Sequence, residues 1–263
     1  MTVETIGKFV KFEMHGEHVA IVTLDRPEQR NAINPAIANA LDEIVARTEP
    51  DPNVRAVILA SSHEKVFCAG ADLAEIAKGN AGGMVTENGG FAGFVHQDRQ
   101  TPWIAAVSGA AFAGGCEITL ACDMIVASHE ATLGLPEVQR GLFAGAGGPY
   151  RLVRNMPRNI AIELLLTGDP LDAQRAYDCG MFNRLVAKDQ LMPTAIKLAE
   201  AIANNAPMSI GATLNVAKRA FDLDEKGLRA LSEETVPKIF SSEDAQEGPR
   251  AFLEKRAPNW KGR

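Results

Sequence analysis

The longest apolar stretch of the chain, residues 103–122, constrains the fold more than any other feature. It is about long enough to span a bilayer, and Glu117 is its only charged residue. Gly109, Gly114 and Gly115 interrupt it, however, and glycines at such positions are typical of tight turns. We therefore predict a buried strand, a tight turn and a buried helix here, and no membrane span.

Strand-like and helical patterns alternate on both sides of this stretch. We predict strands at residues 8–14, 18–25, 54–60, 103–107, 123–127 and 182–187, and helices after Asn34, Asp72 and Gly114 and near 148–155, 158–166 and 172–179. From residue 189 the pattern is helical to the end, whereas the glycine-rich residues 79–93 predict a mobile loop. The alternation predicts an α/β fold with a mostly helical C-terminal tail.

Composition and short motifs exclude several classes of protein. The 263 residues are 46% hydrophobic, which allows a sizeable core, and the net charge of −6 argues against nucleic acid as a partner. Four cysteines without a CxxC pair, and an N-terminus that does not resemble a signal peptide, favour the cytoplasm. The sequence contains no GxGxxG, P-loop, GxSxG or HExxH motif, so we predict neither a nucleotide cofactor nor a metal site.

Three glycine-rich elements remain as candidates for function. They are Phe67-Cys-Ala-Gly-Ala-Asp72, Gly114-Gly-Cys-Glu117 and Gly145-Ala-Gly-Gly148. Each lies where a helix is predicted to begin, and the free N–H groups of a helix N-terminus can stabilise a developing anion. Each element alone is also compatible with an ordinary turn from a strand into a helix.

Two glutamates, Glu117 and Glu137, lie in apolar sequence within or beside these elements. Apolar surroundings raise the pKa of a carboxyl group, so that it can act as an acid or a base near neutrality. Alternatively, Glu117 complements the dipole of its helix, and Glu137 is a surface residue or a salt-bridge partner. The residues by themselves leave both interpretations open.

Several motifs, in order along the chain, resemble the enoyl-CoA hydratase/isomerase (crotonase) family. They are Cys68-Ala-Gly-Ala-Asp-Leu73, Pro102-Trp-Ile-Ala-Ala-Val-Ser-Gly-Ala-Ala-Phe-Ala-Gly-Gly-Cys-Glu117, Leu135-Pro-Glu-Val138, Gly145-Ala-Gly-Gly148 and Arg151-Leu152. The likeness runs from Leu24 to Arg256. It implies a crotonase-like ββα spiral core over residues 1–195, and a helical C-terminal trimerisation region over residues 196–263.

The resemblance also implies roles for single residues of the core. Ala71 and Gly114 would supply the two backbone N–H groups of an oxyanion hole for a thioester carbonyl. Glu117 and Glu137 would hold a water molecule, with Glu117 as the base towards it and Glu137 as the donor of a proton to Cα. Gly145 would orient the water through its amide.

At the C-terminus, Phe252 and Lys255 match residues that contact the adenine and phosphates of CoA, often in a neighbouring subunit. CoA would be part of the substrate, with no separate cofactor, and the assembly would be a homotrimer or a dimer of trimers. Residues 250–263 include five basic residues and one acidic residue, a local net charge of +4. This charge suits a phosphate-rich ligand, although a solvated tail would also be compatible with it.

The implied activity is the reversible syn hydration of a 2-enoyl-CoA. Gly89-Gly-Phe-Ala-Gly93, Ser242-Glu-Asp-Ala-Gln-Glu-Gly-Pro249 and Pro258-Asn-Trp-Lys-Gly-Arg263 resemble the carnitinyl-CoA dehydratase branch, which makes a betaine-bearing substrate one alternative. Isomerisation, another crotonase activity, or a non-catalytic acyl-CoA-binding or scaffold role are the others. A trimethylammonium group must be held by aromatic faces or by a carboxylate, and the aromatic candidates near the acyl path are Phe91, Phe94, Trp103, Phe143 and Tyr150.

Overall fold

A computed structural model describes residues 3–263 as an α/β protein. The strands are β1 (Glu4–Ile6), β2 (Val10–His15), β3 (Val19–Leu24), β4 (Ala56–Ser61), β5 (Val66–Cys68), β6 (Val85–Thr86), β7 (Gly90–Phe91), β8 (Trp103–Val107), β9 (Ala110–Phe112), β10 (Met124–Ser128), β11 (Thr132–Gly134), β12 (Leu171–Asp172) and β13 (Arg184–Val186). The α-helices are α1 (Pro35–Thr48), α2 (Leu73–Ala77), α3 (Gly114–Ala121), α4 (Gly148–Asn155), α5 (Arg158–Thr167), α6 (Ala173–Asp178), α7 (Leu191–Ala203), α8 (Pro207–Lys218), α9 (Glu225–Phe240) and α10 (Glu243–Leu253). Short 3₁₀ helices cover Pro27–Gln29, Ala81–Met84, Pro136–Arg140 and Lys188–Gln190.

A seven-stranded sheet, in the order β1-β2-β3-β4-β8-β10-β13, forms the centre of the described chain. The pairs β1–β2 and β2–β3 are antiparallel, and from β3 onward every pair is parallel. β8 is buried along its whole length and β4 along nearly all of it. Both faces of these strands are covered, which explains why they are continuous apolar runs in the sequence.

The second sheet, in the order β12-β11-β9-β5, is built from the strands that follow those of the first sheet. β4, β8 and β10 are each followed by one strand of the second sheet, and a helix comes after each pair. This topology confirms the ββα spiral. β5, β9 and β11 run parallel, so the loops after all three leave the same edge of the sheet. In parallel sheets, ligand sites form outside the carboxyl ends of the strands.

The six predicted strands and the helices up to residue 179 are confirmed within two residues of the predicted bounds. The Asn34 side chain accepts a hydrogen bond from the Ile37 N–H at 3.0 Å, which caps α1, and Asp72 caps α2 in the same way through the Ala74 N–H. The sequence analysis missed the entire second sheet, because most of its strands are only three residues long. It also missed β1 and the small β6–β7 hairpin.

The glycine-rich segment 79–93, for which a mobile loop was predicted, contains local structure that the sequence analysis did not predict. It contains a 3₁₀ helix and the β6–β7 hairpin, and Met84 and Ala92 are buried. A Cβ atom added to Gly93 would lie 2.1 Å from the Ala38 carbonyl oxygen in α1. The glycines therefore serve close packing against α1.

Two apolar clusters cover the faces of the central sheet. The larger contains α1 and α3 together with residues of both sheets, and the smaller joins the other face of β4, β8 and β10 to α7. Leu191, Ala195, Ala199 and Ala203 form the buried side of α7. The predicted boundary at residue 195 thus falls within a helix that packs on the core. No helix within residues 3–263 is both long and apolar enough to span a membrane.

Beyond α7, the chain forms three further helices and an extended tail. α8 buries only Gly211, and α9 buries no residue at all. α10 is held at its buried face by Asp244, Glu247 and Ala251, after which residues 254–263 run back along the helix. The predicted helical C-terminal region is confirmed up to Leu253.

Candidate active site

The first glycine-rich element is the loop after β5, and it holds Ala71 in a fixed position. Gly70, with a φ of +92°, lets the chain turn there, and its carbonyl accepts the Ile33 N–H at 2.8 Å. The Asp72 N–H donates to the Ile33 carbonyl at 2.9 Å, so the groups on both sides of Ala71 are bonded to one residue. Among residues 3–263 the Ala71 N–H itself has no acceptor. It is free to donate to a ligand.

An ion pair between Arg26 and Asp72 holds this loop in place. The Arg26 guanidinium contacts the Asp72 carboxylate at 2.6 Å, and both side chains are largely buried. Burial alone would raise the pKa of Asp72, but the bonds from Arg26 and the Ala74 N–H outweigh it and lower that pKa. Asp72 is therefore ionised and fixes the loop against the chain around Arg26.

The second element brings Gly114 next to this loop. Ala113 adopts φ 51° and ψ −126°, a conformation that costs a residue with a Cβ of the order of 1–3 kcal/mol. It is held there by the bond from its N–H to the Gly134 carbonyl at 2.8 Å. Gly114 then begins α3 with an N–H that has no acceptor within the described chain. A Cβ on Gly70 would lie 3.0 Å from the Gly114 nitrogen, so the two loops touch.

Glu117 lies in the first turn of α3 and is 3% exposed. Its Oε1 accepts the Gly148 N–H at 2.9 Å, which fixes the carboxylate across to α4. Burial raises the pKa of Glu117, and the negative charge of Glu137 adds to that effect. The two predicted glutamates are therefore close enough to influence each other, and Glu117 is poised to exchange a proton.

The third element explains why Gly148 is a glycine. A Cβ there would lie 2.8 Å from Leu135 Cδ1 and 3.2 Å from Glu117 Oε1. Gly147 precedes it at φ +110°, which directs the start of α4 towards Glu117. The sequence analysis placed Gly148 in a functional motif but did not identify it as a partner of Glu117.

Glu137 follows β11 in the 3₁₀ helix Pro136–Arg140, which ends at the left-handed Gly141. Burial raises the pKa of Glu137, although the N–H of its own backbone and the charge of Arg140 partly oppose the shift. Its Oε2 is buried without a hydrogen-bond partner among residues 3–263. A buried carboxyl oxygen without a partner is costly, and a bound ligand or water would satisfy it.

Glu137 and Ala71 line the same cavity, which has a volume of about 590 Å³. Ala113, next to Gly114, lines it too. Mostly apolar side chains complete the walls together with two basic groups, Arg30 and Arg140. The cavity therefore brings together Ala71, whose N–H is free, and the Glu137 carboxyl group, whereas Gly114 and Glu117 lie behind its wall and do not line it. A free N–H donor beside a carboxyl group suits reactions that pass through an oxyanion.

The predicted residue Gly145 lies on the exposed side of this region. Its N–H has no acceptor within the described chain, and a Cβ there would approach only Phe143, at 3.7 Å. The amide that contacts a site carboxylate is that of Gly148 instead. The role of Gly145 in orienting a water molecule stays a prediction.

Phe252 and Lys255 are placed at the end of α10, and neither lines the cavity. Both are exposed, Phe252 by 82%. A single chain therefore does not bring them to the glutamates.

Phe91 is a site residue whose position the sequence analysis did not reveal. A Cβ on Gly114 would lie 2.4 Å from its ring, so the hairpin of residues 85–91 covers the start of α3. Phe91 was a candidate for the acyl path only because it is aromatic. Its position depends on a tertiary contact that no local pattern encodes.

The sequence profile of the family described as Enoyl-CoA hydratase/isomerase matches residues 14–263. Carnitinyl-CoA dehydratase of Proteus mirabilis is 40% identical over 247 residues, which cover 92% of this chain and 94% of that protein. Carnitinyl-CoA dehydratase of Citrobacter koseri is 39% identical over 263 residues, covering 98% and 100%.

Solved structures of proteins with similar names also superimpose on this chain. An enoyl-CoA hydratase from Mycobacterium tuberculosis superimposes with a TM-score of 0.92 at 38% identity, covering 97% of this chain and 99% of that one. A carnitinyl-CoA hydratase from Mycobacterium avium has a TM-score of 0.76 at 42% identity, with the same coverage.

Proposed function

The chain belongs to the enoyl-CoA hydratase/isomerase family, and from this premise we propose that it adds water reversibly to a short, uncharged 2-enoyl-CoA through the residues described above. Hydro-lyase chemistry of the crotonase type is what its relatives are named for. The observation that supports our assignment of the site most is the pair of glutamates, Glu117 buried and Glu137 half-buried, both with raised pKa values, beside two free N–H groups.

In this proposal the thioester carbonyl accepts hydrogen bonds from the N–H groups of Ala71 and Gly114. As the water oxygen bonds to Cβ, the π electrons move towards the carbonyl and form an enolate. Both donors then face a full negative charge, and each is worth about 3 kcal/mol in such a site. The donors belong to the backbone, so their aim depends on the fold and not on rotamers.

The two glutamates handle the protons. Glu117 takes a proton from the water as its oxygen attacks Cβ, and Glu137 gives a proton to Cα of the enolate. One oxygen of Glu117 is engaged by the Gly148 N–H, which leaves the other for the water. Gly145 completes the water site through its exposed amide. A proton exchange between the carboxyl groups resets the pair.

Phe252 and Lys255 would contact the CoA part of the substrate. Because these residues do not reach the cavity of their own chain, they would serve a neighbouring subunit. We propose a homotrimer or a dimer of trimers, with α8 and α9 supplying the covered surface, and light scattering at micromolar concentration tests it. A stable, fully active monomer would contradict this assembly.

Carnitinyl-CoA dehydration is the second candidate, and the names of the curated relatives favour it. The cavity favours an uncharged acyl group instead. Phe94 and Trp103 are fully buried in the core, and Phe143 and Tyr150 do not line the cavity. Of the aromatic candidates this leaves Phe91, which lies against Gly114, and a single ring does not form a cage. Arg30 and Arg140 do line it, and their charges would repel a trimethylammonium group.

The deciding experiment compares kcat/KM for crotonyl-CoA, a 3-enoyl-CoA and crotonobetainyl-CoA. We expect crotonyl-CoA to be hydrated best. A preference of about 100-fold for the betaine, roughly 2.7 kcal/mol, would replace our proposal by the second candidate. Faster turnover of the 3-enoyl-CoA would indicate an isomerase, and no turnover at all a binding or scaffold protein.

We also propose a cytoplasmic location. The cysteines at 68, 116 and 122 are buried and free, and burial raises the pKa of Cys68 to about 12. Such thiols suit a reducing compartment. Fractionation of cells that produce the protein tests this.

A further inference from the structure

The end of α10 contains an unusual residue. The Arg256 N–H donates to the Ala251 carbonyl at 3.1 Å and the Lys255 N–H to the Phe252 carbonyl at 3.2 Å, which is the Schellman arrangement of a helix C-terminus. The residue in the left-handed position of this motif is usually glycine. Here it is Lys255, at φ +53°, where a side chain is strained. Strain of this kind persists only where the surroundings impose it.

The surroundings of Lys255 do impose it. Glu247, six residues before the end of α10, is only 6% exposed although it is charged. Its two oxygens contact Arg256 at 2.5 and 3.0 Å, and Arg250 and the Asn259 N–H also donate to it, at 2.6 and 2.9 Å. These bonds hold the pKa of Glu247 far below its usual range. The residue immediately after Lys255 is thus clamped by a forked ion pair.

The chain that follows Arg256 is also held in place by hydrogen bonds. The carboxylate of Asp244 accepts the N–H groups of Lys261 and Gly262, at 2.6 and 2.9 Å. The Trp260 indole donates to the Asn204 carbonyl at the end of α7 at 2.8 Å. The turn that contains Lys255 is therefore tied at both ends, by α10 before it and by the core-packed α7 after it.

Nothing in the fold itself calls for a lysine at this turn. Its side chain is exposed, and among residues 3–263 it forms no ion pair or hydrogen bond. A glycine would satisfy the same backbone bonds without strain. A strained, unpaired cation held by a buried carboxylate network indicates a surface that is prepared for an anionic ligand.

We infer that the Glu247–Arg256 ion pair positions Lys255, holding it in the left-handed conformation from which its ammonium group binds a phosphate of the CoA moiety. This inference rests on the contact between Lys255 and CoA in our proposed function, and adds the device that maintains it. Glu247 does not touch the substrate in this scheme. It acts through Arg256 and the turn.

The test compares two substrates, crotonyl-CoA and the crotonyl thioester of pantetheine, which lacks the adenine and its phosphates. We expect Lys255→Ala to raise KM for crotonyl-CoA about tenfold, and Glu247→Gln to raise it about three- to fivefold. For both variants, kcat for crotonyl-CoA and KM for the pantetheine thioester should stay at the wild-type values. Glu4→Gln, which breaks an exposed ion pair to Arg47 outside the C-terminal helices, is the matched control and should change nothing.

Two variants at one position test the conformation. Lys255→Gly and Lys255→Ala both remove the ammonium group and should raise KM equally. Lys255→Gly should melt about 2 °C or more above Lys255→Ala, because only glycine accepts the left-handed turn without strain. If Glu247→Gln fails to fold, Arg256→Gln breaks the same pair from the other side.

The outcomes separate the two claims. If Lys255→Ala leaves KM for crotonyl-CoA unchanged, the proposed CoA contact is wrong and the inference falls with it. If Lys255→Ala raises KM but neither Glu247→Gln nor Arg256→Gln does, the contact stands and the positioning role is overturned. Equal KM increases for both thioesters would also overturn it, since they would indicate general distortion.

Discussion

The helices α3 and α9 differ sharply in how much of each is buried. Every residue of α3 from Gly114 to Leu120 is buried, and its glutamate is held by a backbone donor from another helix. α9 is twice as long and buries nothing, and Val236 and Phe240 are 50% and 75% exposed on it. The chain thus buries the candidate site on α3 by itself but leaves α9 without a cover among the described residues.

This difference in burial separates the residues proposed for catalysis from those proposed for contacts with other subunits and with CoA. Groups that exchange protons need fixed distances, and the packed spiral core supplies them. Large exposed apolar groups on adjoining helices are typical of interfaces between subunits. Variants in the core should therefore lower kcat and leave assembly intact, whereas variants on the exposed apolar face of α9 should change assembly and KM.

The largest effect is expected from the glutamates. Glu117→Gln and Glu137→Gln should each lower kcat by about 10²- to 10⁴-fold, because each removes one partner of acid–base catalysis. Steady-state kinetics with crotonyl-CoA and light scattering on the same samples provide the measurement. A variant that hydrates crotonyl-CoA at nearly the wild-type rate would remove that glutamate from the mechanism.

The second-largest effect is expected at Gly114, the proposed oxyanion donor on α3. Gly114→Pro deletes the N–H at a helix position that tolerates proline, and we expect a loss of about 3 kcal/mol in transition-state stabilisation. Any Cβ there also displaces the Phe91 ring, so Gly114→Ala is the matched control that keeps the N–H. Gly114→Pro and Gly114→Ala should differ by about 100-fold in kcat/KM. Equal values would mean that this N–H is not a donor.

The contact between α3 and α4 can be strained without removing a functional group. Gly148→Ala places a methyl group against Leu135 and Glu117 and should lower kcat about tenfold and stability by about 1–2 kcal/mol. Gly82→Ala, which adds a methyl group in open space, should leave both unchanged. Wild-type kcat in Gly148→Ala would show that the position of Glu117 is not critical.

A substitution in the C-terminal region should change assembly and KM, unlike the core variants above. Phe240→Asp places a charge on the exposed face of α9, and we expect smaller assemblies with KM for crotonyl-CoA raised about fivefold or more. Lys226→Asp, at an exposed polar position of the same helix, is the control. An unchanged sedimentation profile for Phe240→Asp would mean that α9 is not an interface.

The smallest effect concerns pH and stability. Burial raises the pKa of Glu117, so from its ordinary value of 4.5 upward the folded protein binds more protons than the unfolded chain. The stabilisation from this group is complete at low pH and is lost as the pH rises through the raised value. The melting temperature of Glu117→Gln relative to wild type should therefore increase from pH 4 to pH 8. A constant difference would indicate an ordinary pKa for Glu117.

The sequence analysis predicted the first sheet well and the second not at all. β4, β8 and β10 are five or six residues of buried apolar chain, which is a strong local signal. β5, β9 and β11 have three residues each and exist because each has neighbouring strands to pair with. The turns of the spiral also have unequal lengths, since β4, β8 and β10 begin at 56, 103 and 124, so no repeat is detectable.

The candidate site likewise contains residues that have a local sequence signal and contacts that have none. Glu117 and Glu137 could be found because a carboxylate in an apolar run is conspicuous. The bond from Gly148 to Glu117 could not, because it joins residues 31 positions apart and requires α3 and α4 to be packed together first. The hairpin within residues 79–93 was missed for a related reason. Glycines permit mobility and close packing alike, and only the tertiary contact with α1 decides between them.

The spiral has a consequence for how activity is gained during folding. Ala71, Gly114, Glu137 and Gly148 follow successive turns, so a chain in which one turn has not yet stacked lacks part of the site. Parallel strands far apart in sequence form slowly, because the intervening loops must be closed before their contacts stabilise anything. Refolding should therefore restore helical circular dichroism before catalysis, and a polypeptide released before α4 is synthesised should have no activity at all.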